Sequence, residues 1–137
     1  MKGIIIASHG DMAQGILGTS KLFFGEQPQI TALCLQAEDN PEAFDERIRQ
    51  ALEEVDTGDG AIIFCDMLFG SPCNSAMRVL MTMGLDNPSI EVVTGVNLAM
   101  ILQILAVRES SEVSIDDLMN AGHDGIKNLK EVIKANM

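Results

Sequence analysis

The sequence predicts an α/β fold in three layers, an open and mainly parallel sheet with helices on both faces. Apolar runs at residues 4–7 and 61–65 lack polar alternation, as strands buried on both sides do, and residues 30–35 and 90–94 read as two further strands. Segments of helical spacing separate them, so the chain reads βαβαβαβα. The links are short, which suits successive right-handed crossovers in one sheet.

The first strand is expected over residues 3–7 and runs into Ser8-His9-Gly10. Helix one follows over about residues 11–24, with Met12, Ile16, Thr19 and Phe23 spaced as its inner face and Gly25 as its cap. Gly15 and Gly18 cost it helix propensity. Strand two spans residues 30–35. Asn40 and Pro41 then read as N-cap and N1 of a helix whose Phe44, Ile48, Leu52 and Val55 face inward. After the turn at residues 57–60, strand three covers 61–65 and ends in Asp66-Met67-Leu68-Phe69-Gly70-Ser71-Pro72. Ser71 and Pro72 read as N-cap and N1 of helix three, with Met77, Leu80 and Met83 inward. Strand four covers 90–94, and Asn97 opens a short apolar helix to about Val107. Ser114 with Asp117 fits a capping box. A last helical pattern through Leu118, Met119, Ile126, Leu129 and Ile133 is interrupted at Gly122 and Gly125, so two pieces are expected.

A chain of 137 residues suits one domain with one core, taken as residues 1–137. Its 47% hydrophobic and 21% charged residues exclude a disordered chain. No stretch has the uninterrupted apolar length of a membrane span, and no signal-like segment precedes Gly3, so direct membrane insertion is not expected and the cytoplasm is. With 20 acidic against 9 basic residues the net charge is -11, and the scattered lysines and arginines form no stripe for nucleic acid. A partner with a basic patch suits that field better. Cys34 and Cys65 lie in apolar runs and read as buried; Cys73 follows a turn and reads as more exposed. An odd cysteine count without a Cys-x-x-Cys pair does not describe a disulfide scaffold.

In a parallel sheet the turns after strands one, three and four share one edge, where α/β proteins place their chemistry. These turns are Ser8-His9-Gly10, residues 66–71 and Thr94-Gly95-Val96-Asn97. If strands one and three are neighbours, Asp66 can accept from one nitrogen of His9 and fix its tautomer, leaving the other as nucleophile or base. The same carboxylate would stabilise the ring once modified and cationic. The amides of Gly70 and Ser71, with the Ser71 hydroxyl, would hold an anion beside it, which is chemistry for a phosphoryl group. Other sites fare worse. The chain has neither a Gly-x-x-x-x-Gly-Lys-Ser/Thr loop nor Gly-x-Ser-x-Gly, and His9, Asp66, Cys73 and His123 lack metal-ligand spacing. No metal and no cofactor are therefore expected, and His123 reads as a structural or surface residue.

These three turns, in order and at these separations, resemble the mannose-family EIIA domains of the bacterial phosphoenolpyruvate-dependent sugar phosphotransferase system. The resemblance covers nearly the whole chain. It implies a phosphotransferase in which His9 is phosphorylated by the phosphocarrier HPr and hands the group to an EIIB component, with membrane EIIC and EIID downstream in sugar transport. Asp66 falls on the family's histidine-orienting acid, Ser71 on the Ser/Thr of its phosphate-holding loop and Gly70 on that loop's second glycine. It further implies the strand order 2-1-3-4 and a cytoplasmic homodimer that exchanges a C-terminal segment as an antiparallel edge strand, to be sought after Val107. Phe69 stands where the loop usually has its first glycine, and Ala99 where a proline is common. Phe69 and Asn97 are expected as loop or partner contacts. Glycine in such a loop often serves backbone angles a side chain resists, so Gly70 is the expected holder of any such conformation or of a close approach. Two other readings stand beside the relay: a phosphorylation-responsive regulatory domain, or donor to a dihydroxyacetone-kinase-like partner, and a histidine phosphatase, which usually has arginine where Ser8 stands.

Overall fold

The computed structural model describes residues 1–110 and 112–137. Four strands, β1 (Gly3–His9), β2 (Ile30–Leu35), β3 (Ala61–Cys65) and β4 (Ile90–Thr94), form one parallel sheet in the order β2-β1-β3-β4. Six helices accompany them: α1 (Met12–Phe24), α2 (Ala43–Val55), α3 (Ser71–Met83), α4 (Leu98–Val107), α5 (Ile115–Asp124) and α6 (Leu129–Ala135). β1 is two residues longer than expected because Ser8 and His9 still pair with Cys34 and Leu35 of β2.

Strand residues alternate between two cores. Ile5, Ala7, Ile63 and Cys65 point to α2 and α3, which contribute Phe44, Ile48, Leu52, Val55, Ala76 and Val79. Ile4, Ile6, Ile62, Phe64 and Val93 point the other way, to Ala13 of α1, Ile101, Ile104 and Leu105 of α4, and Leu118 of α5. The central strands are thus apolar on both faces, which explains their unbroken sequence. The helices of the first layer are also clamped by charge, since Arg78 of α3 donates through Nε and Nη2 to both oxygens of Asp45 of α2, each at 2.8 Å. At the opposite edge the buried Arg108 donates to the carbonyls of Lys2, Pro28 and Gln29, tying the end of α4 to the starts of β1 and β2. No described helix is long and apolar enough to cross a membrane.

Several side chains depart from the expected facing. Met12, Thr19 and Phe23 of α1 are exposed; Ile16 faces inward as expected, joined by Ala13, Leu17, Ser20 and Phe24. In α3, Met77 and Met83 are exposed while Cys73, Ala76 and Val79 are buried. In α3 the small Cys73, Ser75 and Ala76 face inward and the large methionines stay outside, whereas in α1 the inner face is rotated. Cys73 is consequently buried and Cys34 only half-buried, the reverse of expectation. Helix α2 starts at Ala43, two residues after Pro41, with Asn40 Oδ1 accepting from the Glu42 N–H at 2.9 Å. Ser71 is the first residue of α3 and not its cap, a position taken by Gly70. The tail is two helices, as expected, with Ser114 Oγ accepting from Asp117 N–H at 3.2 Å. The antiparallel edge strand sought after Val107 is not formed within one chain, where the described residues of that region build α5 and α6. Such a strand needs its hydrogen-bond partner from a second copy; alone, the segment satisfies its backbone as capped helices.

Candidate active site

His9 is the last residue of β1, and Asp66 follows the last residue of β3. The adjacency of these strands brings the two together, and the Asp66 N–H still donates to Ala7 O at 3.1 Å. Asp66 Oδ2 accepts twice from His9, from the backbone N–H at 2.9 Å and from ring Nδ1 at 2.7 Å. Its Oδ1 accepts from the Met67 N–H at 2.9 Å. Burial pushes the carboxyl upward, but the His9 backbone N–H, the His9 ring and the Met67 N–H outweigh it and hold Asp66 below the usual carboxylate range. An ionised Asp66 requires the proton on Nδ1, so Nε2 carries the free lone pair. The ring side chain is 46% exposed against 10% for Asp66, so the nucleophile faces outward and its orienting acid lies beneath.

The turn below His9 is held by Ser8. Its hydroxyl is fully buried, accepts from Ala13 N–H at 2.7 Å and donates to Gly10 O at 3.3 Å. Asp11 is the N-cap of α1 but makes no side-chain cap bond, and the Ser8 hydroxyl satisfies a first-turn N–H in its stead. Gly10 takes a φ of 55°, which turns the chain sharply from strand to helix. Beside it lies an open hollow of about 480 Å³, bounded by His9, Gly10, Leu35, Gln36, Ala37, Asp39 and Pro41.

On the other side the Asp66–Ser71 loop closes on the ring. Here Phe69, not Gly70, has the left-handed backbone, with φ 65°, whereas Gly70 has φ −72°. A left-handed phenylalanine costs about 1–2 kcal/mol, and its ring, 69% exposed, recovers nothing from the core. Gly70 is needed for space: a Cβ there would lie 2.6 Å from His9 Cε1 and 3.4 Å from Nε2. Ser71 opens α3 next to it, and its hydroxyl makes no hydrogen bond among the described residues. Helix geometry leaves the Ser71 and Cys73 N–H groups without intrahelical acceptors, and Pro72 has none to leave. This end of α3 is therefore a ready anion site at the reactive nitrogen. Cys73 and Cys65 lie behind it, and burial, with Cys73 and Asp66 adding to it, pushes the Cys65 thiol up to about 12, which rules it out as a nucleophile at neutral pH.

Asn97 sits in the loop after β4, as expected, but both ends of its side chain are engaged within the chain. Its Oδ1 accepts from Met100 N–H and its Nδ2 donates to Gly122 O, both at 3.0 Å, so it caps α4 and fastens it to α5. Within the chain its role is therefore to hold the loop. His123 is exposed and stands with Thr94, Met100 and Met119 around a separate hollow.

A family model described as "PTS system fructose IIA component" matches residues 3–121. The chain belongs to this family. It is an EIIA domain of the mannose type, the family this model describes. It is 31% identical over 131 residues to the PTS system mannose-specific EIIAB component of Escherichia coli, which covers 93% of this chain. The chain spans only 39% of that relative's length. The PTS system fructose-specific EIIA component of Bacillus subtilis is 26% identical over 88% of this chain and 78% of its own. Among solved structures, the PTS IIA protein associated with the fucose utilization operon of Streptococcus pneumoniae superposes with a TM-score of 0.87 at 26% identity, covering 96% of each chain. The mannose/sorbose specific IIA subunit from Enterococcus faecalis does so with 0.76 at 28% identity, over 93% of this chain and 95% of its own. The sugars in these names differ, so the EIIA role is what the relatives share.

Proposed function

We propose that all 137 residues act as one cytoplasmic EIIA domain in which His9 Nε2 accepts a phosphoryl group from phospho-HPr and passes it to an EIIB component, for sugar uptake through membrane EIIC and EIID. The observation that carries this reading is the commitment of Nδ1 to Asp66, which leaves Nε2 exposed beside the open end of α3. In the first transfer the Nε2 lone pair forms the new N–P bond while the donor nitrogen keeps the electrons of the bond that breaks. The Nδ1 proton stays in place, the imidazole becomes cationic and the Asp66 carboxylate balances it. The unpaired N–H groups and hydroxyl at the start of α3 hold the phosphoryl oxygens. The second transfer is the same exchange run toward the acceptor. Storage is favoured over hydrolysis because Ser8, where a histidine phosphatase would have its arginine, is buried in the turn beneath the ring.

Mixing the protein with phosphoenolpyruvate, the general phosphotransferase proteins and an EIIB tests this. Acid-labile phosphate is expected on His9 and then on the acceptor, and His9→Ala is expected to lose both. Label that never reaches His9 would refute the relay. Label that stays on His9 with every EIIB, or passes instead to a dihydroxyacetone-kinase-like protein, would replace it with the regulatory or donor role.

A further inference from the structure

The left-handed backbone of Phe69 is held from one side chain, and that side chain has no part in the chemistry above. Asn74 lies in the first turn of α3, where a residue of low helix propensity would ordinarily point to solvent. Its Nδ2 instead reaches back and donates to Phe69 O at 3.2 Å, while its own N–H donates to Gly70 O at 2.9 Å. Two consecutive loop carbonyls are thus gripped by one residue. A third bond, from the Gly70 N–H to Met67 O at 3.2 Å, closes the turn.

The direction of the Phe69 carbonyl sets the plane of the peptide joining Phe69 to Gly70, and so the placement of the Gly70 backbone. That backbone is already as near the ring as it can be, since a Cβ on Gly70 would reach 2.6 Å from His9 Cε1 and 2.9 Å from Met67 Cγ. If Phe69 relaxed to a right-handed or extended conformation, the peptide would turn and Gly70 would leave the ring. The start of α3 would then no longer abut Nε2.

We propose that Asn74 is a positioning residue of the His9 site: by holding Phe69 left-handed it keeps the loop backbone closed on the ring and the free end of α3 at the phosphoryl group. This rests on the reading of His9 as the phosphoryl acceptor. The role belongs to the loop and not to the stability of α3, which gives it a distinctive signature. Glycine takes positive φ freely, so in a Phe69→Gly background the loop needs Asn74 far less.

The test is a double-mutant cycle on Asn74→Ala and Phe69→Gly, read by the turnover of transfer from phospho-HPr at saturating donor. Asn74→Ala alone is expected to lower turnover about tenfold, a size suited to one lost positioning hydrogen bond, with the KM for the donor nearly unchanged. In the Phe69→Gly background the same change is expected to cost less than about threefold. Equal losses in both backgrounds, or no loss in either, overturn the proposal. Should Asn74→Ala fail to fold, Asn74→Leu takes its place, since it keeps roughly the shape and the backbone bond and loses the side-chain donor without adding charge. If wild-type His9 takes no phosphate, the transfer reading has failed by itself. The positioning role is then read from hydrogen exchange of the Gly70 amide, expected to quicken about tenfold in Asn74→Ala but not in the double variant. Unchanged exchange would overturn it.

Discussion

Phe69 and Gly70 divide between them two tasks that one glycine is often given. The left-handed turn falls on Phe69, which has a side chain and bears its cost, while Gly70 has ordinary angles and supplies only the missing Cβ. The sequence points to a conflict at this loop, because a phenylalanine stands where glycine is usual, but it does not say which residue carries positive φ. That depends on how near the loop comes to the His9 ring, a distance set by the pairing of β1 with β3 and invisible to any local pattern. The consequence can be measured. In Gly70→Ala the backbone is unstrained, yet the methyl would sit 2.6 Å from His9 Cε1 and force either ring or loop aside. A displacement of that order costs transfer about a hundredfold. Phe69→Gly removes an exposed ring and relieves the backbone, so turnover should fall far less, with any larger effect on apparent affinity for the partner protein. Transfer kinetics on both variants, beside thermal melts, decide this. A greater loss of turnover in Phe69→Gly would mean that the ring itself shields or positions the phosphoryl group.

Elements were legible where their pattern depends on themselves alone. Phe44, Ile48, Leu52 and Val55 mark α2 because the helix has one buried side and a charged one, and all four are buried. The run 61–65 identifies β3 because both its faces are covered. Helix α1 misled for the opposite reason. Its inner face is partly made of Ala13 and Ser20, the latter satisfied by donating to Leu17 O, whereas Met12 and Phe23 stay outside. Nothing local distinguishes a small residue chosen for close approach from one chosen for indifference. The pairing of His9 with Asp66 was legible as chemistry, but not the second bond, from the His9 backbone N–H, which makes Asp66 a clasp between the ends of β1 and β3. That clasp gives a pH dependence. Its folded pKa lies below the ordinary value of 3.8, so the stabilisation is complete above that value and is lost as the pH falls through the folded one. Asp66→Asn cannot reproduce it, since an amide offers one acceptor to the N–H groups of His9 and Met67 and turns its NH₂ toward the other. The variant is expected to melt lower at neutral pH and to show a shallower decline in melting temperature as the pH falls below the ordinary carboxylate value of 3.8. Other carboxylates titrate in both proteins, Asp45 beside Arg78 among them, so the comparison rests on the difference in slope. Parallel acid curves would show that the clasp stabilises nothing.

Among the described residues the last segment of the chain is buried against nothing. Every residue of α6 is exposed, and the apolar Ile126, Leu129 and Ile133 stand 70%, 69% and 53% accessible. The sheet likewise ends in β4, whose outer edge is unpaired among the described strands. The tail's charge also runs against that of the chain. Residues 125–137 hold three lysines and one glutamate, while the molecule as a whole carries -11. A cationic, apolar segment of an acidic protein is best accommodated on another acidic surface, and a second copy offers one beside an open strand edge. The homodimer that the family resemblance implies would seat the C-terminal segment of each chain on the other. Burying Leu129 and Ile133 would contribute about 1.5–3 kcal/mol each, so charging both positions should be decisive. The variant Leu129→Asp with Ile133→Asp is expected to sediment as a monomer at micromolar concentration where the wild type is a dimer. Because α6 buries nothing in its own chain, the variant should keep the circular dichroism of a folded domain and still accept phosphate on His9. A wild type that sediments as a monomer, or a doubly charged variant that remains dimeric, would place the dimer contact elsewhere or remove it. A variant that loses its fold would show instead that the tail belongs to the core of its own chain.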